Sequence, residues 1–105
     1  PRGGSDAGNL RLKVERIGNL NYPEAAKGRL YGNLLLYVEI KADGSLERVE
    51  VQRSSGHKIL DEAAMRIVRM AAPYGSFSAE LKRQTDIVAF ARTWVFARGD
   101  QLRSE

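Results

Sequence analysis

Residues 32–53, GNLLLYVEIKADGSLERVEVQR, decide the fold. Leu34, Leu36, Val38 and Ile40 recur at every second position, with Leu35, Tyr37, Glu39 and Lys41 between them. Side chains of a strand alternate between its two faces, so this spacing predicts a strand with one buried face. Asp43-Gly44 follows, a pair that tolerates positive φ and favours a hairpin turn. Val49 and Val51 then point one way and Arg48, Glu50 and Gln52 the other, giving a second strand. A lone hairpin cannot bury its apolar face in water. The remaining chain is therefore expected to cover and extend it.

C-terminal to the hairpin, Ser54-Ser55-Gly56-His57 reads as a turn whose side-chain oxygens cap a helix. Residues 58–71 form that helix. Leu60, Ala63, Ala64, Ile67, Val68 and Ala71 make one stripe, and Lys58, Asp61, Glu62, Arg66 and Arg69 lie mostly away from it. The alanines permit close approach to a sheet. Residues 72–85 are a polar connection, with one helical turn expected at 78–82. Residues 86–98, DIVAFARTWVFAR, are rich in β-branched and aromatic residues and form a third strand. Its face of Val88, Phe90, Arg92, Trp94 and Phe96 is expected to meet the helix, with Arg92 the exception.

Chain direction gives the topology. The third strand runs antiparallel to the first and lies beside it, so the order is 2-1-3. The fold class is α+β, a three-stranded antiparallel sheet with the main helix on one face and a short N-terminal helix. The third strand becomes an edge whose outer N–H and C=O groups lack a partner.

N-terminal to the hairpin, residues 1–8 are rich in Gly, Ser and Asp, and mobility is expected there. Residues 9–17, NLRLKVERI, fit two patterns: Leu10, Val14 and Ile17 make a helical stripe, and Leu10, Leu12 and Val14 a strand face. A short helix ended by Gly18 as a C-cap is the favoured reading. Pro23 suits the first turn of a brief helix over 23–30, broken before the first strand by Gly32. Three regions follow: 1–18 as linker and short helix, 19–98 as the domain, and 99–105 as a tail.

The 105 residues form one domain with a net charge of +4 and no cysteine. Acidic residues interleave with the basic ones along the chain, which describes a mixed surface better than a basic recognition face. No apolar run reaches membrane-span length. Residues 1–5 read as the end of a linker, so a soluble piece of a longer protein is expected. Enzymatic chemistry finds no foothold. His57, the only histidine, sits in a Ser/Gly turn, and no cluster has metal-ligand spacing. Gly28-x-x-x-Gly32 lacks the Lys-Ser/Thr of a phosphate loop. Ser54 and Ser55 lack an evident base and orienting acid. No catalytic residue, metal or cofactor is expected.

Taken in order, several motifs carry a family resemblance. They are Asn21-Tyr22-Pro23, Ala42-Asp43-Gly44-Ser45, V-x-V-x-R-S-S-G at 49–56, L-D-x-A-A at 60–64 and T-W-x-F at 93–96. Across roughly residues 19–98 the chain resembles the C-terminal periplasmic domain of the TonB energy transducers of Gram-negative bacteria. The best-known members carry Q-P-Q-Y-P where this chain has Asn19-Leu20-Asn21-Tyr22-Pro23. The resemblance implies a domain anchored in the inner membrane by an N-terminal helix and reaching through the periplasm. It implies docking on TonB-dependent outer-membrane transporters for siderophores, haem or cobalamin, by capture of an extended segment, the TonB box. It also implies inner-membrane proton-channel partners that supply the energy of the proton gradient. An unpaired edge of β-branched and aromatic residues suits such capture by strand addition. The partner-binding residues expected are Val88, Ala89, Phe90, Ala91, Arg92, Thr93 and Trp94 on the strand, with Asn19, Asn21, Tyr22 and Pro23 beside them.

Two other readings compete. A small basic nucleic-acid-binding module would stack bases on Tyr37, Phe90 and Trp94 at the sheet surface, although no K/R-G-F-G-F-like run is present. A scaffold domain would dimerise through the same edge strand. The transducer reading is preferred, without nucleic acid, and with a homodimer through the edge strand as a secondary expectation.

Overall fold

A computed structural model describes residues 5–104, with side chains from residue 10 onward. β1 (Gly32–Lys41) and β2 (Leu46–Arg53) form the expected antiparallel hairpin. Leu34, Leu36, Val38 and Ile40 are all buried, and the residues between them reach solvent. Register shifts between Leu35 and Leu36 and between Glu39 and Ile40 each leave an extra residue in β2. Such bulges bend the strand and increase its twist. At the turn Gly44 has φ +92°, and a Cβ there would lie 1.8 Å from the Tyr74 carbonyl oxygen. Only glycine meets both demands. The close approach lets Tyr74 N–H donate to the Gly44 carbonyl at 2.6 Å, and Phe77 N–H donates to that of Ala42 at 2.9 Å.

α2 (Lys58–Ala71) buries the expected stripe in full: Leu60, Ala63, Ala64, Ile67, Val68 and Ala71. Its start differs from the sequence reading. Neither serine caps the helix amides, and His57 at the N-cap gives no side-chain bond. Asp61 in the first turn reaches back instead, accepting from Ser55 N–H at 2.9 Å, Ser55 Oγ at 2.7 Å and Ser54 Oγ. Partial burial works to raise the Asp61 pKa, but these hydrogen bonds outweigh it and hold the carboxyl below its ordinary value.

β3 (Ile87–Ala97) pairs antiparallel with β1 over the full length of β1, from Gly32 opposite Phe96 to Lys41 opposite Ile87. Its Val88, Phe90, Trp94 and Phe96 share the face of the buried β1 residues and meet the helices, as expected. In the connection before it, α3 (Ala79–Gln84) begins one residue after Ser78, whose Oγ accepts from Leu81 N–H at 3.1 Å.

The two ends of the chain depart most from expectation. α1 (Ser5–Leu20) is a helix of 16 residues, longer than the 9–17 reading, and it takes in residues 5–8 of the stretch expected to be mobile. The same expectation for residues 1–4 falls outside the described residues. Leu10 and Val14 are buried and Ile17 packs against the core, so the helical stripe holds. Gly18 is not a C-cap but lies inside the helix. A Cβ there would come within 2.3 Å of Leu102 Cδ2, so the glycine serves packing rather than backbone reversal. Asn21 closes the helix, donating Nδ2 to the Ile17 carbonyl at 2.9 Å. The brief helix expected over 23–30 shrinks to one 3-10 turn, Glu24–Ala26, because the backbone turns extended at Lys27 (ψ 127°) and Gly28 follows at φ +68°.

Residues after Gly99 are not a tail. Gly99 at φ +89° and Asp100 at φ +57° reverse the chain into β4 (Gln101–Ser104). The Asp100 carboxylate pins that turn, accepting from Gly28 N–H at 2.9 Å and Tyr31 Oη at 3.3 Å. The sheet therefore has four strands in the order β2-β1-β3-β4, not three.

Candidate functional site

β4 pairs with β3 only from Trp94 to Ala97, so it closes one end of the β3 edge and leaves the other. Strand parity shows which backbone groups remain. Ala42 N–H donates to the Asp86 carbonyl at 2.9 Å. With an unbroken register, the even-numbered residues of β3 turn their amides to β1 and the odd-numbered ones turn theirs outward. The far side agrees. Leu102 N–H donates to Asn19 Oδ1 at 2.9 Å and Ser104 N–H to Glu15 Oε2 at 2.8 Å, both away from β3. Gln101 and Arg103 therefore face Ala97 and Val95.

The outward groups of Ile87 are met by Thr85 Oγ1, which accepts from Ile87 N–H at 3.2 Å and donates to its carbonyl at 2.7 Å. Ala89 and Ala91 are left clear of β4, with Thr93 next to its end. Among the described residues nothing pairs with their outward amides. Both side chains are exposed and small, beside Glu39 and Tyr37 on the uncovered face of the sheet. Val88, Phe90 and Arg92 flank the window on the helix side, each half-buried. A shallow depression of about 410 Å³, lined by Lys41, Ala42, Asp43, Asp86 and Ile87, lies next along the edge toward the hairpin turn.

The structure does not gather every expected site residue at this window. Trp94 is 1% exposed, with Nε1 lacking a partner among the described residues, and belongs to the core. Tyr22 is also core, its ring edge-on to Phe96 at 5.4 Å. Burial first, then the charges of Asp100 and Tyr31, push the Tyr22 pKa up to about 12. Pro23 is buried beside it. Asn19 holds both the N–H and, at 3.4 Å, the carbonyl of Leu102. The 19–23 segment thus supports the β4-covered end of β3. Val88, Ala89, Phe90, Ala91 and Arg92 are brought together at the open end, with Thr93 at its border.

Sequence reasoning missed Glu15, Leu102 and Ser104. Glu15 and Asn19 stand one helical turn apart on α1 and satisfy alternate amides of β4, so the helix takes the place of a fifth strand. The aromatic platform imagined for stacking bases is not formed. Tyr37 lies on the open face, where its hydroxyl donates to Glu39, whereas Phe90 and Trp94 lie on the helix-covered face. Among the described residues no group of three His, Asp or Glu side chains converges to hold a metal, and no helix is long and apolar enough to cross a membrane.

The class of protein defined here is a small α+β domain with helices on one face of an antiparallel sheet and an open stretch of edge strand. Residues 18–96 match the family described as Gram-negative bacterial TonB protein C-terminal, and the chain belongs to that family. It is therefore a TonB-type periplasmic domain, from a non-catalytic, transport-coupling family whose members interact with outer-membrane transporters. The match spans the hairpin, α2 and β3 as far as Phe96, and leaves most of α1 and all of β4 outside. No curated protein matches the chain.

Proposed function

We propose that this domain docks on a TonB-dependent outer-membrane transporter by taking up the transporter's TonB box as a strand beside β3. Through an inner-membrane anchor and proton-channel partners it would couple the proton gradient to uptake of a siderophore, haem or cobalamin. The observation that carries the docking step is the pair of unpaired outward amides at Ala89 and Ala91. An added strand satisfies such groups by main-chain hydrogen bonds, and the alanine side chains offer no obstruction. Family membership supplies the kind of partner. Asn19, Asn21, Tyr22 and Pro23 act in this reading by holding the closed end of the edge, not by touching the ligand.

Two adjacent proline substitutions test it. Ala91→Pro removes an outward donor and leaves the β1 ladder intact. Isothermal titration with a TonB-box peptide should then show binding lost, with little change in thermal stability. Arg92→Pro removes an inward donor from the β1 ladder and should destabilise the fold clearly more than Ala91→Pro. A folded Ala91→Pro protein that binds the peptide at full strength would defeat the strand-addition reading.

A further inference from the structure

Among the described residues five large apolar side chains are exposed, and four of them lie on the two long helices: Leu12 and Leu20 on α1, Ile59 and Met70 on α2. They are not scattered. Residues four apart on a helix share a face, so Leu12, Arg16 and Leu20 make one stripe along α1. Ile59, Arg66 and Met70, at spacings of seven and four, make another along α2. Both stripes are exposed and lie off the buried faces of their helices. Each sets an arginine between two apolar side chains.

The helices pack antiparallel, which lays the two stripes alongside each other. Lys13 Nζ donates to the Pro73 carbonyl at 2.6 Å, tying the middle of α1 to the end of α2. Asn19 holds Leu102, which pairs with Phe96 and so lies at the end of the sheet where Gly32 approaches Ser55 and His57, just before α2. Leu20 therefore stands toward Ile59, Leu12 toward Met70, and Arg16 level with Arg66 between them. The acids of these helices are engaged elsewhere. Glu15 accepts from Ser104 N–H and Arg11, and Asp61 from Ser54 and Ser55. Glu62, exposed on α2, pairs with Lys58 at 3.8 Å. Around the hairpin, by contrast, basic residues are matched by acids, Lys41 by Glu47 and Arg48 by Glu50.

Two guanidinium groups abreast offer planar forks to phosphate oxygens. Apolar side chains at both ends of them suit the boundary between headgroups and acyl chains, where an amphipathic surface lies flat. A soluble anion would leave those apolar side chains in water. Members of the family interact with outer-membrane transporters, so a docked domain stands beside phospholipid. We propose that the outer face of α1 and α2 is a contact surface for an anionic phospholipid membrane, with Arg16 and Arg66 on the phosphates and the four apolar side chains entering the headgroup layer. Leu12 and Arg16 lie outside the residues matched to the family, and the surface is separate from the β3 edge.

Flotation of the 105-residue chain with vesicles tests it, in about 150 mM salt, where attraction between distant charges is largely screened. Vesicles of phosphatidylethanolamine with about a quarter phosphatidylglycerol should carry the chain, and phosphatidylcholine vesicles should not. Arg16→Gln and Arg66→Gln should each weaken binding about fivefold, the scale of one arginine at an anionic surface. Leu20→Asn should weaken it about tenfold by removing an inserted side chain. Arg48→Gln takes the same charge from the hairpin and should leave binding unchanged. All four positions are exposed or half-buried at the surface, and thermal melts confirm that each variant is folded. No binding to the anionic vesicles overturns the proposal. Equal losses from Arg16→Gln and Arg48→Gln would reflect the net charge of +4 alone and overturn it too. Binding to soluble polyphosphate as strong as to vesicles, with no effect of Leu20→Asn, would make the face a polyanion site instead. A dimer of the free chain in light scattering that Leu20→Asn dissolves would assign the face to a second copy, and the membrane reading falls.

Discussion

The two ends of β3 have similar sequences and opposite fates. Val88 and Phe90 toward one end and Trp94 and Phe96 toward the other all lie on the helix-covered face and run beside β1. Yet Trp94 and Phe96 are at most 1% exposed, whereas Val88 and Phe90 are half-buried. What differs is the outer flank. Beside Trp94 and Phe96 stands β4, and beyond β4 stands α1 with Glu15 and Asn19 bonded to its outer amides. Beside Val88 and Phe90 no strand of the described chain follows. One strand is thus a core element at one end and an open edge at the other. The division is set by four residues at the end of the chain and a helix at its start.

Removing residues 1–20 should disturb the comparison most. The loss takes Leu10 and Val14 from the core, and each buried aliphatic side chain is worth roughly 1.5–3 kcal/mol. It also strips the outer amides of Leu102 and Ser104, so the closed end acquires an open edge of its own. The dimer fraction in light scattering should rise. A shortened chain that stays strictly monomeric at high concentration would mean that α1 does not shield the sheet. Next in size is the aromatic pair on β3. Trp94→Ala should cost about 3–5 kcal/mol in denaturant unfolding, and half-buried Phe90→Ala roughly half as much. Equal costs would erase the distinction between the two ends.

Gly18→Val probes the closed end alone. Overpacking against Leu102 should cost about 1–3 kcal/mol. Hydrogen exchange should report it as lost protection at residues 101–104, with the hairpin unaffected. The smallest effect concerns Asp61, whose donor Ser55 lies close to Gly32, opposite Phe96 at the same closed end. Its folded pKa is held below the ordinary 3.8, so it adds stability above that value, and the contribution is lost as pH falls through the folded pKa. Asp61→Asn should lower stability by a small amount at neutral pH, and the difference should close as pH falls through the folded pKa, leaving a shallower acid limb. An acid limb identical to that of the unaltered protein would remove Asp61 from the account.

The hairpin and α2 were legible because their periodicities are long and unambiguous: four apolar residues at every second place in β1, six on one stripe in α2. The face of β3 that meets the helices was legible for the same reason. β4 was not. Its four residues carry one apolar side chain, Leu102, and too short a run to show a period. The available signal was Gly99-Asp100, whose residues both take positive φ, whereas at Asp43-Gly44 only the glycine does. Gly18 was misread because glycine late in a helical pattern suggests a cap, and only the fold reveals Leu102 pressing on it. Without β4 the whole of β3 looked open, and Trp94 was assigned to the binding surface. The segment 19–23 was placed there by family resemblance, which carries no information on which of its side chains point into the core.

The most direct test of the open edge is amide hydrogen exchange, residue by residue along β3, without and with a TonB-box peptide. In the free protein Ala89 and Ala91 should exchange fast, while the inward-facing Val88, Phe90 and Arg92 are protected by β1. Peptide should then slow Ala89 and Ala91 specifically. Slow exchange at Ala89 and Ala91 in the free protein, or peptide protection that appears on α2 and spares β3, would contradict the account.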